Sequence, residues 1–156
     1  MNTTATLTTG STLQVVTDLI RILVTPSQNQ GAYLLFTSRT APGAGVPPHR
    51  HDQEDEAFVV LRGRYGFMRD EAELVLGPGD TIFVPRGTLH GFQNIGTSEA
   101  ELLIITSPGH LHEAFFSDLG IPLAPGATER VAPPALAEVV AAATRHGIEL
   151  MPPPAS

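Results

Sequence analysis

At 156 residues the chain is long enough for one domain that buries roughly 70% of the surface its unfolded form would expose, so no disulfide or metal is needed merely to hold a core. Sixteen acidic residues against nine basic ones give a net charge of -7, which makes phosphate backbones poor partners and argues against nucleic acid. The absence of cysteine removes disulfides, thiolate metal sites and thiol nucleophiles, and because every basic residue is arginine, Schiff-base and lysine-base chemistry is removed as well.

In chain order, residues 1–12 are polar and threonine-rich and read as a flexible N-terminus. They have neither the basic start nor the apolar stretch of a signal peptide, and no apolar run reaches the length of a membrane span. A cytoplasmic protein with no membrane partner is the expectation. Residues 13–108 carry the signals of a β-barrel. Short apolar or alternating runs recur at 19–25, 32–37, 57–61, 65–68, 73–76, 81–84, 91–94 and 101–106, and Gly, Pro, Asn or Asp punctuate them. The proline-bearing stretch 42–48 is read as one of these interruptions. Residues 109–156 form a helical extension with a Pro-rich tail. Leu111–Leu119 reads as a short helix closed by Gly120, and residues 134–146 as a helix with a proline at its start and Gly147 just past its end. The apolar content of 13–25 and of the last helix exceeds what one small barrel readily covers, so a homodimer formed by sheet packing is expected.

The chemistry concentrates in His49-x-His51-x4-Glu56, with His90 thirty-four residues further on. Imidazole nitrogens and a carboxylate oxygen suit one divalent transition metal, with Mn, Fe, Co or Ni most plausible and Cu or Zn able to bind the same donors. His49 and His51 point the same way on an extended segment, because side chains alternate along a strand. Glu56 has the opposite parity, so residues 52–55 must turn or bulge, in the manner of a hairpin return, to bring it back. By spacing alone, two histidines in the acidic run HRHDQEDE fit a solvated loop as well as a ligand pair.

The frame around these residues is more specific. Gly43-x5-His49-x-His51-x4-Glu56-x6-Gly63 is followed, after fifteen residues, by Gly79-x5-Pro85-x-Gly87-x2-His90-x3-Asn94. This resembles both signature motifs of the cupin superfamily over about fifty residues. The resemblance implies an all-β jelly-roll barrel of six to eight strands with the metal inside its mouth, held by His49, His51, Glu56 and His90. One complete motif pair means a single-domain cupin. His110-x-His112 repeats the HxH pattern without its frame and reads as surface or lid, while His146 at a helix C-terminus reads as structural.

The region from Pro108 to Gly120 and the helix ending at His146 look like the tail of bacterial quercetin 2,3-dioxygenase-like cupins. That likeness implies a metal-dependent dioxygenase acting with O2 on a flavonol-like or other enolic aromatic molecule. In it the metal is Lewis acid and template, and Glu56 is the general base. Tyr33, Leu35, Phe67, Phe92 and Ile104 are expected to line the substrate pocket, with Phe115 and Phe116 at its mouth. Arg62 shares the strand parity of Glu56, and an inward arginine would favour an acidic substrate. The alternatives are a non-redox isomerase, cyclase or decarboxylase in natural-product metabolism, and a small-molecule-binding cupin without turnover.

Overall fold

A computed structural model describes residues 6–151. Of the expected flexible terminus, residues 1–5 lie outside the described residues, as does the tail from 152 to 156. In chain order the strands are β1 (Thr12–Val15), β2 (Asp18–Val24), β3 (Leu34–Thr40), β4 (Gly45–Arg50), β5 (Asp55–Arg62), β6 (Tyr65–Arg69), β7 (Ala72–Leu76), β8 (Thr81–Val84), β9 (His90–Asn94), β10 (Ala100–Ser107), β11 (Ile121–Leu123) and β12 (Glu149–Leu150). Two helices, α1 (His110–Leu119) and α2 (Leu136–Arg145), follow the main run of strands. None of the described helices is long and apolar enough to cross a membrane.

The strands form two antiparallel sheets, an all-β jelly roll. The larger has the order β11-β1-β2-β3-β10-β5-β8 and the smaller β12-β4-β9-β6-β7. Strict alternation sets the inner faces. On β3, Leu34, Phe36, Ser38 and Thr40 are buried, and on β5 so are Glu56, Phe58 and Val60. From the smaller sheet Phe67 and Phe92 meet Phe58 edge-on, with Phe58 and Phe67 ring centres 5.2 Å apart, and Tyr65 packs edge-on to Phe92. Gly63 makes possible the tight β5–β6 connection, which passes from one sheet to the other. Its φ is +86° and a Cβ there would lie 2.5 Å from that of Ala100, so only glycine fits both the turn and the gap.

The last third of the chain is woven into the barrel. β11 adds to the larger sheet beside β1, and β12 adds to the smaller sheet beside β4. Where the sequence set residues 109–156 apart as an extension, the structure gives each sheet one of its strands. Residues between β11 and α2 strap the barrel from outside: Gln14 Oε1 accepts the Val131 N–H at 2.8 Å, and Gln14 Nε2 donates to the Val131 carbonyl at 2.9 Å. α1 packs on the barrel mouth, with Phe116 edge-on to Phe36 at 5.0 Å. α2 leans on α1 and on Ile148.

The apolar residues expected to demand a partner are placed differently. Leu13, Val15, Leu19, Ile20 and Ile22 are all buried within the chain: Leu13, Val15, Ile20 and Ile22 belong to the core, and β11 closes the edge of β1. On α2, Leu136 and Val140 remain exposed. On the outer face of the larger sheet, Leu61 of β5 and Phe83 of β8 are about half exposed.

Candidate metal centre

His49 lies near the end of β4 and His90 opens β9, and the two are direct cross-strand partners with ring centres 4.2 Å apart. His51 follows β4 by one residue. It faces the same way as His49, and its carbonyl accepts the Gly87 N–H at 2.8 Å, which ties the loop before β9 to the ligand strand. Glu56 comes from the other sheet, where it pairs with Thr106 of β10 and Val84 of β8. The odd spacing between His51 and Glu56 is therefore resolved by a crossing from one sheet to the other at residues 51–54, not by a hairpin return. The result is that His49, His51, Glu56 and His90 are all buried and each offers a ligand atom within 4.8 Å of the others.

The donor chemistry fits a cation. His49 Nδ1 donates to the Pro47 carbonyl at 2.9 Å and His90 Nδ1 to the Thr88 carbonyl at 2.8 Å. Each proton is thereby placed on Nδ1, and each Nε2 lone pair is left facing the cluster. His90 Nε2 has no hydrogen-bond partner, and His51 Nε2 meets Glu56 Oε1 at 2.5 Å. Burial and the neighbouring His90 push His49 down to about 3, so its imidazole is neutral and able to ligate. Burial opposes ionisation of Glu56. The charge of His112 and the hydrogen bonds from His112 and His51 outweigh it and hold the carboxyl well below its usual range. Converging lone pairs beside a carboxylate, away from water, are what a divalent transition metal relieves.

Two further residues, Glu54 and His112, complete the site, and neither belongs to the ligand motifs. Glu54, within the sheet crossing, is fully buried. Its carboxylate accepts the N–H groups of Gly109, Leu111 and His112 at the N-terminus of α1, together with His112 Nδ1–H at 2.7 Å. An anion at a helix N-terminus satisfies the donors that the first turn leaves unpaired. Gly109 takes φ +106° here, and a Cβ would strike the backbone of Leu34 and Tyr33, so α1 begins tight against β3. His112 then spans two carboxylates, since its Nε2 lies 3.1 Å from Glu56 Oε1. Burial alone would lower His112, but the Glu56 charge and the hydrogen bonds to Glu54 and Glu56 raise it to about 9. The HxH pattern at 110–112 is the visible signal, and it divides: His112 is buried at the cluster while the His110 side chain is 62% exposed. His146 bonds Asp118 of α1 at 2.9 Å, a structural tie between the helices.

The cluster opens onto a cavity of about 420 Å³ between the sheets. His49, Glu56 and His112 stand at one part of its wall, and Phe36, Phe58, Phe92 and Ile104 form much of the rest. Phe115, Phe116 and Val139 also line it, together with Pro133 and Pro134 of the strap. Of the residues expected at the pocket, Phe92, Ile104, Phe115 and Phe116 stand on this wall. Tyr33, Leu35 and Phe67 do not. Leu35 sits on the face of β3 opposite Leu34 and Phe36, Tyr33 precedes the strand, and Phe67 is packed in the core behind Phe58 and Phe92. Arg62 is not inward. It lies beyond the covered part of β5, exposed, with its guanidinium 3.6 Å from Glu101. No arginine lines the cavity among the described residues.

Comparison with known proteins agrees with this geometry. A family model described as a cupin domain matches residues 36–106. The chain is 29% identical over 113 residues to a quercetin 2,3-dioxygenase of Bacillus subtilis, covering 72% of this chain and 33% of that protein. It thus spans about a third of the length of that relative. Among solved structures, a predicted oxalate decarboxylase of Thermotoga maritima superposes with a TM-score of 0.59 at 19% identity, covering 66% of this chain and 98% of that one. The polyketide cyclase RemF of Streptomyces resistomycificus superposes with a TM-score of 0.52 at 26% identity, covering 58% and 65%.

Proposed function

This chain belongs to the cupin family, and from that premise we propose that it is a metal-dependent dioxygenase, quercetinase-like, that oxidises an enolic or phenolic aromatic molecule with O2. One observation carries the reading: the buried cluster of His49, His51, Glu56 and His90 puts His49 and Glu56 on the wall of an apolar cavity that holds no arginine among the described residues. A small diacid would leave its charges uncompensated there, whereas a flat, largely apolar ring system would be matched by Phe36, Phe58, Phe92 and Ile104.

A divalent metal bound by the four residues supplies a Lewis acid and a template for an ionisable substrate oxygen. The protein does the rest. His49 and His90, fixed by their Nδ1–H bonds to backbone carbonyls, keep their Nε2 atoms aimed inward. Glu56, on the cavity wall, accepts the proton of the substrate hydroxyl at a carboxylate oxygen, and His112 holds that carboxylate in place through Oε1. Phe115, Phe116 and the Pro133–Pro134 strap keep bulk water from the ring. A dioxygenase places both atoms of O2 in its product, so this chain needs no site for a reductant.

A non-redox cyclase is the second reading, supported by the likeness to the polyketide cyclase. The deciding experiment is metal analysis of protein purified without chelators, followed by oxygen-uptake assays on flavonols and related enols. Stoichiometric O2 consumption with one metal per chain is the expected result. Turnover that continues under argon would establish the non-redox reading instead, and ligand binding with no turnover in air would reduce the chain to a binding protein. The working form is a homodimer in this proposal, joined through the exposed outer face of the larger sheet around Leu61 and Phe83.

A further inference from the structure

Asp18 is a buried carboxylate that the metal site does not use. It opens β2 and is 6% exposed. Its Oδ2 accepts the hydroxyls of Ser38 at 2.8 Å and Thr40 at 3.3 Å, both on β3. Its Oδ1 has no hydrogen-bond partner. Arg130, whose charge reaches Asp18, is committed elsewhere, to the carbonyls of Thr17 and Arg39 and to Glu99 at 3.0 Å. Asp18 has no ion pair among the described residues. A purely structural acid would have both oxygens matched, since buried polar groups are almost always paired. Burial pushes this carboxyl up to about 6.

Its place in the cavity is informative. Asp18 and Ser38 lie on the wall of the same cavity as His49 and Glu56. Across the larger sheet, Glu56 pairs with Thr106, which pairs with Leu34, while Asp18 is bonded at the level of Thr40. Leu34 and Thr40 are six residues apart on one strand, about 20 Å of extended chain. The cavity of about 420 Å³ therefore has the metal cluster toward one end of β3 and the Ser38–Asp18 pair toward the other. Val15, Ile20, Phe36 and Phe58 form apolar walls between the two ends.

We propose that Asp18, set by Ser38, is a second recognition point that accepts a hydrogen bond from a hydroxyl or N–H on the end of the substrate remote from the metal cluster. The substrate class is then an elongated aromatic with a metal-binding enol at one end and a hydrogen-bond donor at the other. This rests on reading the cavity as the substrate site. Asp18 is a specificity residue in this assignment and takes no part in bond making.

The test compares two flavonols on zinc-loaded protein under argon, where binding is read without turnover. Quercetin carries hydroxyls on its remote ring, while 3-hydroxyflavone keeps the enol and lacks them. Wild type should bind quercetin about tenfold more tightly, the worth of one hydrogen bond to a charged acceptor. Asp18→Ala should abolish that preference and leave 3-hydroxyflavone affinity within about twofold. Asp18→Asn, nearly isosteric, should cut the preference by about threefold or more, so the test stands even if the alanine variant fails to fold. A wild type that does not discriminate, an Asn variant with full preference, or an equal loss for both ligands would overturn the assignment. Failure of both flavonols to bind wild type would overturn the reading of the cavity itself, and the Asp18 role with it.

Discussion

The carboxylate of Glu54 and the imidazole of His112 are bonded at 2.7 Å in the barrel wall, one from the crossing between the two ligand-bearing sheets and the other from the helix that follows β10. This contact makes α1 part of the metal centre, because the far side of the same ring meets Glu56. Glu54→Leu removes the acceptor of three backbone N–H groups as well as of His112. Leaving one partner of a buried charged pair uncompensated costs about 3–5 kcal/mol. Urea denaturation of metal-free protein should show a loss of that order, and hydrogen exchange should report an undocked α1.

Metal binding by the four-residue cluster predicts a sharp response to single deletions. His49→Ala and His90→Ala each remove one donor and should lose most of the roughly one metal per chain, measured by elemental analysis after dialysis. Normal metal content in both variants would show that the cluster is not the site.

Ligation and proton transfer separate at Glu56. Glu56→Gln keeps the size and an acceptor oxygen but is a very weak base. It should retain much of its metal and lose about a hundredfold or more in turnover, the typical worth of a positioned general base. His51→Ala should lose metal and turnover together. A Gln variant with near-normal turnover would leave Glu56 as ligand only.

Asp18 gives stability a pH dependence that can be isolated. Its carboxyl is raised from 3.8 to about 6 in the folded protein, chiefly by burial. A raised folded value stabilises the native state where the group is protonated. That contribution is complete below pH 3.8 and is lost as pH rises through about 6. A rise of this size corresponds to about 3 kcal/mol. Asp18→Asn should therefore be more stable than wild type above pH 6, and the difference should shrink toward pH 4. Parallel stability curves for the two proteins across that range would refute this account.

Assembly through the outer sheet face is testable at Phe83, which is 54% exposed on β8. Sedimentation of the wild type should give twice the 16.5 kDa chain mass, and Phe83→Glu should give the single-chain mass. A wild-type monomer at micromolar concentration would exclude the dimer.

The barrel and the ligand quartet are readable from sequence because both rest on local rules: alternation, turn residues and a fixed motif frame. The departures have equally local causes. Strand β4 contains Pro47 and Pro48, which read as a loop, yet the ladder to β9 skips from Val46 to His49, so neither proline is asked to donate a hydrogen bond to β9. In Ala32-Tyr33-Leu34-Leu35-Phe36 both alternations are apolar, so the pattern does not reveal the inward register, and Leu34 and Phe36 face in where Leu35 is the expectation. Glu54 sits in an acidic run that looks solvated. Its partners lie 55 to 58 residues further on, a distance at which no spacing rule operates.

The pairing of β12 with β4 has a practical consequence for handling the protein. Leu150 is the cross-strand partner of His49, and the Met151 N–H is bonded to the Pro48 carbonyl. Residues 149–151 therefore brace the outside of the strand that leads into two of the ligands. A protease cut after Gly147, or a bulky affinity tag joined close behind Met151, would tug on the metal site from a position remote in sequence. Tags and reporters belong at the opposite terminus, and slow metal loss in a C-terminally tagged preparation would be the signature of a loosened β12.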